Sequence, residues 1–177
     1  MLANPGHRGF TLIELLIGFA LVGLLTMMAV PAFQHWTQNM QIRNAAESIL
    51  NGMQIARAEA VRRNAAVQMI MVDGSTWTIA AVSTPGTIIQ QRDSAEGSQV
   101  AAIAVTPGVA DRITFNGMGW VVTNDDGSES ITSIDVASTI SADTAIRPLR
   151  ILVVPGGSMK MCDPAPTLAA DDPRRCL

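Results

Sequence analysis

The stretch GFTLIELLIGFALVGLLTMMAVPAF, residues 9–33, carries one ionisable side chain, that of Glu14. A helix that crosses a bilayer needs about 20 mostly apolar residues. Residues 10–33 therefore predict a membrane-spanning helix. Pro31 lies near the end of this segment, and a proline inside a helix removes a backbone donor and usually kinks the helix. We expect a kink at Pro31.

The segment before the apolar run, MLANPGHRG, is short and polar. A secretory signal peptide places its small-residue cleavage site after its apolar stretch. Here Gly9 stands in front of that stretch, so cleavage after Gly9 would leave the apolar helix on the mature chain. Residues 1–9 are therefore predicted to be a leader peptide.

The motif Gly9-Phe10-Thr11-Leu12-Ile13-Glu14 resembles the class III signal of type IV pilins and type II secretion pseudopilins. The resemblance implies that a prepilin peptidase cuts after Gly9 and methylates the new amino terminus of Phe10. It also implies a single-pass protein of the inner membrane that assembles with other pilins through its N-terminal helix, in a pilus or a pseudopilus. Arg8 precedes the span, as positive charge does on cytoplasmic flanks, so the C-terminal part is expected in the periplasm, although Arg43 mildly opposes this orientation.

Glu14 is the residue of this segment that needs an explanation. A carboxylate at membrane depth is disfavoured by about 2.5–3.5 kcal/mol on insertion scales, so it needs a partner. If the filament packing of the family applies, that partner is the α-amino group of Phe10 on a neighbouring subunit, which makes Glu14 an assembly residue. The alternative is a glutamate near the helix end that reaches the interface and is favoured by the helix dipole.

Beyond the span, apolar residues recur at three- and four-residue spacing up to about Asn64, which predicts that residues 34–64 continue the helix as an amphipathic segment. From residue 65 the pattern changes to short β-type runs separated by turn residues. The predicted fold class is α+β and pilin-like: a long N-terminal helix packed on an antiparallel sheet, with residues 65–177 as a periplasmic β-rich domain. Residues 83–98 are interpreted as a loop.

The C-terminal part of the sequence resembles the FimT/GspH branch of minor pilins and pseudopilins, on Ile113-Thr114-Phe115-Asn116-Gly117-Met118-Gly119 and on residues 155–164. Two cysteines, Cys162 and Cys176, predict a disulfide in an oxidising compartment. A disulfide-tied tail fits the FimT subgroup better than GspH. The two hypotheses are a FimT-like minor pilin of a type IV pilus and a GspH-type pseudopilin of a type II secretion system.

DNA is a further partner to consider, because some FimT-like proteins contribute to DNA uptake and carry Gly-Arg-x-Arg before the first cysteine. The aligned residues here are Gly157-Ser158-Met159-Lys160, so both arginines are replaced. The remaining local cations are Lys160, Arg174 and Arg175, and three aspartates lie among them. These cations predict either a weak, salt-sensitive phosphate contact or solvated surface charge, and the local balance favours the second.

Other functions find little support in the sequence. The formal net charge is −3 and becomes −4 without the leader, with 11 Lys and Arg against 15 Asp and Glu, which gives no global attraction to nucleic acid. Residues 124–129 hold several oxygen donors but lack EF-hand spacing, so we interpret them as a polar turn. We expect no catalytic site, cofactor or metal, because no nucleophile–base arrangement and no phosphate-binding loop is present.

Overall fold

The structure, a computed structural model, describes residues 10–84, 86–141 and 143–176. These residues form one helix, α1 (Leu12–Arg63), and nine strands. The strands are β1 (Val67–Met71), β2 (Trp77–Ala81), β3 (Ile88–Arg92), β4 (Ala101–Thr106), β5 (Arg112–Phe115), β6 (Val121–Val122), β7 (Ser133–Ser138), β8 (Leu149–Val153) and β9 (Met159–Cys162). The chain divides into two compact units between Thr37 and Gln38, and α1 contributes to both.

The helix runs without interruption through Pro31. Its end is a Schellman motif, in which Asn64 adopts a left-handed conformation with φ 47°. The Asn64 N–H donates to the Val61 carbonyl at 3.2 Å and the Ala65 N–H to the Ala60 carbonyl at 3.1 Å. These bonds satisfy two carbonyls of the last helical turn. The kink at Pro31 stays a prediction, as do the boundaries of the four segments.

The strands form two antiparallel sheets where the sequence predicted one. The five-stranded sheet has the order β3-β2-β1-β5-β6, and the four-stranded sheet has the order β4-β7-β8-β9. The interpretation of residues 83–98 as a loop was wrong in part, because β3 lies within them and pairs with β2. Its pattern is mostly exposed, as expected of an edge strand, so its residues lack the apolar alternation that reveals a buried strand.

The core lies between the amphipathic part of α1 and the sheets, which confirms the predicted fold class. Helix residues at three- and four-residue spacing are fully buried against strand residues of both sheets; the helical members are Ile42, Ala45, Ala46, Ile49, Met53, Ala56 and Ala60. Trp77 of β2 is the largest fully buried side chain, and its indole N–H donates to the Ser48 hydroxyl at 2.9 Å. Gly52 leaves room for this ring, since a Cβ atom there would lie 2.9 Å from it.

Two glycines join the loop after β5 to the hairpin after β8. Gly119 and Gly157 both have positive φ, 77° and 74°, and an added Cβ at Gly157 would lie 1.9 Å from the Gly119 carbonyl oxygen. The same oxygen accepts a hydrogen bond of 2.9 Å from the Arg57 Nε of α1. The helix, the β5–β6 loop and the β8–β9 hairpin therefore meet at one closely packed point.

Candidate assembly and binding sites

The N-terminal half of α1 exposes an apolar surface. Its most apolar 18-residue window has a mean hydropathy of 2.3, and none of the side chains described there is buried, so by length and composition α1 is able to cross a membrane. The exposed large side chains between residues 10 and 33 are Phe10, Leu12, Ile13, Leu15, Leu16, Ile17, Phe19, Leu21, Val22, Leu24, Leu25, Met27, Val30 and Phe33. Such a surface is stable only against lipid or against other apolar helices.

At the start of the helix, Glu14 and Thr11 form a capping box. The Glu14 Oε2 accepts hydrogen bonds from the Thr11 backbone N–H at 3.0 Å and from its hydroxyl at 2.9 Å. In return the Glu14 N–H donates to the Thr11 hydroxyl at 3.3 Å. The spacing Thr-x-x-Glu is the usual sequence signature of this motif, and it reveals Thr11, which the analysis of Glu14 alone missed.

The capping box bears on both interpretations of Glu14. Within one chain the carboxylate is held at the helix terminus by Thr11, where the helix dipole favours negative charge. Its side chain is nevertheless exposed beside a shallow groove of about 340 Å³ that Phe10, Gly18 and Phe19 help to line. Glu14 therefore remains accessible to a cation from another subunit. The predicted cleavage site, Gly9, lies outside the described residues.

The predicted disulfide is present: Cys162 and Cys176 are bonded, with their Cα atoms 5.1 Å apart. The tail is also held by its backbone, because the Asp163 N–H donates to the Arg174 carbonyl at 2.7 Å and the Cys176 N–H donates to the Asp163 carbonyl at 3.2 Å. The tail thus pairs with the chain just after β9 at one position, Asp163 with Arg175.

We predict that reduction of this disulfide releases the tail before the sheets unfold. The chain-entropy model assigns about 3 kcal/mol to a closed loop of about 15 residues. Of the tail residues that the structure describes, 163–176, none belongs to the buried apolar core. Limited trypsin digestion should cut rapidly after Arg174 and Arg175 once the bond is reduced. Arg150 is the internal control, because it lies in β8, which pairs with β7 inside the sheet. Equal acceleration of cleavage at all three arginines would contradict the prediction.

The three candidate DNA-contacting cations differ in their surroundings. Arg174 is bound by Asp172, with a distance of 2.7 Å between Nη2 and Oδ2. Hydrogen bonds from the Arg174 guanidinium and backbone lower the pKa of Asp172 to about 2, so this carboxylate stays charged at neutral pH. Lys160 is exposed and Arg175 half-buried, and neither forms an ion pair with the residues that the structure describes. Arg174 is therefore largely neutralised, and two cations remain.

Arg150 is a further cation of this region that the sequence analysis did not single out. It lies on the outer face of the four-stranded sheet, where β-pairing places it between Asp135 and Cys162. Its guanidinium binds the Asp135 carboxylate through two hydrogen bonds of 2.6 and 2.9 Å. Polar residues alternating with buried ones in β7 and β8 were the available signal. The pairing of these two strands brings the charges together, and the local sequence does not predict that pairing.

The acidic turn at residues 124–129 is closed by its own side chains. The buried Asn124 amide donates to the Ser128 and Glu129 carbonyls at 3.1 and 3.0 Å, and its oxygen accepts from the Thr114 hydroxyl at 2.8 Å. Asp126 pairs with Arg112 at 2.9 Å. These contacts occupy the side chains of Asn124 and Asp126. Across residues 10–84, 86–141 and 143–176, no group of three or more His, Cys, Asp and Glu side chains is placed to hold a metal ion.

The exposed apolar helix with a glutamate near its start, joined to a helix-on-sheet domain, defines a filament subunit of the pilin class. Residues 45–157 match the family model of the type II transport protein GspH, and residues 4–30 match the prokaryotic N-terminal methylation motif. The GspH match covers more than half of the chain, so the chain belongs to this family of minor pilins and pseudopilins, whose members are structural. The motif implies processing by a prepilin peptidase, and the family implies assembly with other pilins.

Curated relatives are similar to a short part of the chain. The type IV major pilin PilE1 of Neisseria gonorrhoeae is 48% identical over 42 residues, which are 24% of this chain and 26% of PilE1. A fimbrial protein of Pseudomonas aeruginosa is 40% identical over 43 residues, 24% of this chain and 28% of that protein. The chain thus matches about a quarter of the length of these relatives.

A solved structure shows the same fold over a longer stretch. The type IV minor pilin FimU of Pseudomonas aeruginosa aligns with a TM-score of 0.51 at 20% identity, over 71% of this chain and 91% of FimU. At this level of identity the likeness concerns the fold.

Proposed function

We propose that this chain is a FimT-like minor pilin, a structural subunit of a type IV pilus. Residues 10–33 hold it in the inner membrane after cleavage at Gly9 and methylation of Phe10, and its globular part faces the periplasm. It enters the filament by packing its apolar helix against those of other pilins. The exposed apolar surface of α1, with Glu14 at its start, is the observation that supports filament assembly.

The choice of a pilus rests on the disulfide-tied tail. The bond between Cys162 and Cys176 ties the tail to β9, and a disulfide-tied tail fits the FimT subgroup better than GspH. The similarity to PilE1 and other type IV pilins supports the same choice. The alternative is a GspH-type pseudopilin of a type II secretion system, and the description of the matching family supports that alternative.

The test is a clean deletion that is complemented by the wild-type chain and scored in parallel for pilus-dependent motility, DNA uptake and export of secreted proteins. A minor pilin is expected to affect motility or DNA uptake while export stays normal. Loss of export alone would establish the pseudopilin and refute the proposal.

A second function, DNA binding, is favoured by one observation: Lys160 is exposed and without an ion pair in the described part of the chain. With Arg175 it offers two cations near the disulfide, enough for a weak contact with phosphates and none with bases. Arg174 contributes little while Asp172 holds it. Net acidity opposes this function, so only a local contact is proposed.

We predict that Ser158→Arg strengthens DNA binding by the full-length processed chain in detergent. Ser158 is exposed in the β8–β9 hairpin, two residues before Lys160, so the new cation lies close to Lys160 in the chain. Each added phosphate contact steepens the salt dependence by about 0.9 in log–log slope. Gel retardation of duplex DNA at low and moderate salt measures this. Gln99→Arg adds the same charge at another exposed site and is the matched control. A wild-type chain that does not retard DNA even at low salt would refute DNA binding.

A further inference from the structure

Strand β9 is the edge of the four-stranded sheet, and its backbone groups point alternately toward β8 and away from it. The hairpin is closed by a hydrogen bond of 3.1 Å from the Val154 N–H to the Ser158 carbonyl. Hydrogen-bonded and non-hydrogen-bonded pairs alternate along an antiparallel ladder. Counting from that bond, the pairs of Met159 with Val153 and of Met161 with Ile151 are non-hydrogen-bonded. The N–H and C=O groups of Met159 and Met161 therefore face outward.

Asp163 confirms the alternation, because it is the next residue in the same series. Its N–H and C=O bond to Arg174 and Cys176 of the tail, on the side away from β8. The described residues of the tail thus bind the outward backbone groups of Asp163 and do not bind those of Met159 and Met161. In the part of the chain that the structure describes, no hydrogen bond is made to the outward backbone groups of Met159 or Met161. The edge is open at these two residues.

A shallow groove of about 410 Å³ adjoins this edge. It is lined by Met159 and by the last turns of α1, at Gln54, Arg57, Ala58, Val61 and Arg62. The side chain of Val61 is half exposed, and Ala58 is exposed beside it. An extended segment added to β9 would pair with the backbone of the two methionines and cover Val61 and Ala58. Strand addition of this kind takes its affinity from main-chain hydrogen bonds and its specificity from side-chain contacts.

The charges on both sides of the edge select the occupant. Arg57, on the groove side, uses its Nε for the Gly119 carbonyl and makes no ion pair with the described residues. Lys160, on the opposite face, is exposed and makes none either. A lysine on an edge strand opposes indiscriminate pairing, and a second copy of β9 would bring two Lys160 side chains to one edge. Carboxylates on the incoming segment remove that penalty.

We propose that β9 is a docking edge for an extended, acidic segment of another subunit of the filament assembly, which adds a fifth strand at Met159 and Met161. This inference rests on the proposed function, since it names the surface through which the globular part contacts a neighbour. The tail marks one end of the docking edge, because it already pairs at Asp163.

Amide hydrogen exchange on the full-length processed chain in detergent tests whether the edge is open. The amides of Met159 and Met161 are expected to exchange quickly, and those of Lys160 and Cys162, which face β8, slowly. Slow exchange of all four amides would mean that the edge is closed and would overturn the proposal.

Photo-crosslinking in cells that assemble the filament tests the occupant. A benzophenone side chain in place of Val61 is expected to label an acidic extended segment of another filament subunit, mapped by mass spectrometry. The same group in place of Val109, which is 82% exposed, is the control. Labelling of DNA, of a second copy of this chain, or of nothing would overturn the proposal.

Two variants link the label to strand addition. Met161→Pro removes one outward N–H and leaves the hydrogen bonds between β9 and β8 intact. Loss of one hydrogen bond to the incoming segment is expected to lower the crosslinking yield from position 61 about tenfold. Met161→Leu keeps the N–H and the volume and is expected to keep the label. If the proline variant does not fold, Lys160→Glu replaces it, because an added carboxylate repels an acidic segment. A label that survives Met161→Pro, or Lys160→Glu in its place, would refute the pairing.

The outcomes separate this inference from the proposed function. A chain that never enters filaments contradicts the proposed function itself. A chain that enters filaments normally but gives no label from position 61 contradicts only the docking edge.

Discussion

Gly157→Ala is expected to destabilise the globular part by about 2–5 kcal/mol. A left-handed backbone at a non-glycine residue costs roughly 1–2 kcal/mol, and displacing packed neighbours costs roughly a further 1–3 kcal/mol. Both penalties apply at Gly157, where φ is 74° and an added Cβ would lie 1.9 Å from the Gly119 carbonyl oxygen. That oxygen is itself held by the Arg57 Nε, so the loop cannot move away without losing a hydrogen bond to α1.

The neighbouring Gly156 is the matched control for this prediction. Its φ is not in the left-handed region, and an added Cβ would meet no atom within 4 Å. Gly156→Ala should therefore leave the free energy of unfolding within about 0.5 kcal/mol of wild type. Urea denaturation of the full-length chain in detergent, followed by tryptophan fluorescence, measures both variants. If the two alanines have the same effect, the contact between the two loops does not stabilise the fold.

Glu14→Gln is expected to abolish filament incorporation while leaving membrane insertion intact. The variant keeps the size and the hydrogen-bonding oxygen of the side chain, so the capping box with Thr11 is largely retained. It removes the charge that would pair with the Phe10 amino group of a neighbouring subunit. Neutralising the carboxylate also lowers the cost of placing this side chain in the membrane, so insertion should not be impaired.

The measurement is the amount of the chain in sheared filaments relative to the amount in the inner membrane. Glu47→Gln is the control, since Glu47 is an exposed carboxylate of the same helix that pairs with Arg43 at 2.7 Å. It should be incorporated like wild type. Normal incorporation of Glu14→Gln would leave the glutamate with its capping role alone and would favour the helix-end interpretation.

Local patterns predicted the fold class because each element carries its own signal. The apolar run of residues 10–33 and the three- and four-residue spacing after it both indicate helix, and the two cysteines indicate a disulfide. Strands that bury apolar residues, such as β1 and β2, were readable for the same reason. β3 was missed, because an edge strand buries few side chains and resembles a loop in sequence.

The candidate sites were predictable to different degrees. Glu14 was found because a lone charge in an apolar run is conspicuous, whereas its partner Thr11 required attention to the capping signature. Lys160, Arg174 and Arg175 were found as a cluster in sequence. Their unequal availability was not, because it depends on Asp172 binding Arg174 and on where β9 places Lys160.

The sequence by itself determined the class of this protein: an apolar helix that carries an N-terminal methylation motif, a β-rich domain and a pair of cysteines near the C-terminus. These are properties of neighbouring residues, and their physics is local. Only the tertiary structure decided that the strands divide into two sheets, that Gly119 and Gly157 meet, and that β9 has an open edge at Met159 and Met161. Each of these features depends on segments far apart in the chain, because strand pairing and the contacts between loops arise only when the whole core is buried.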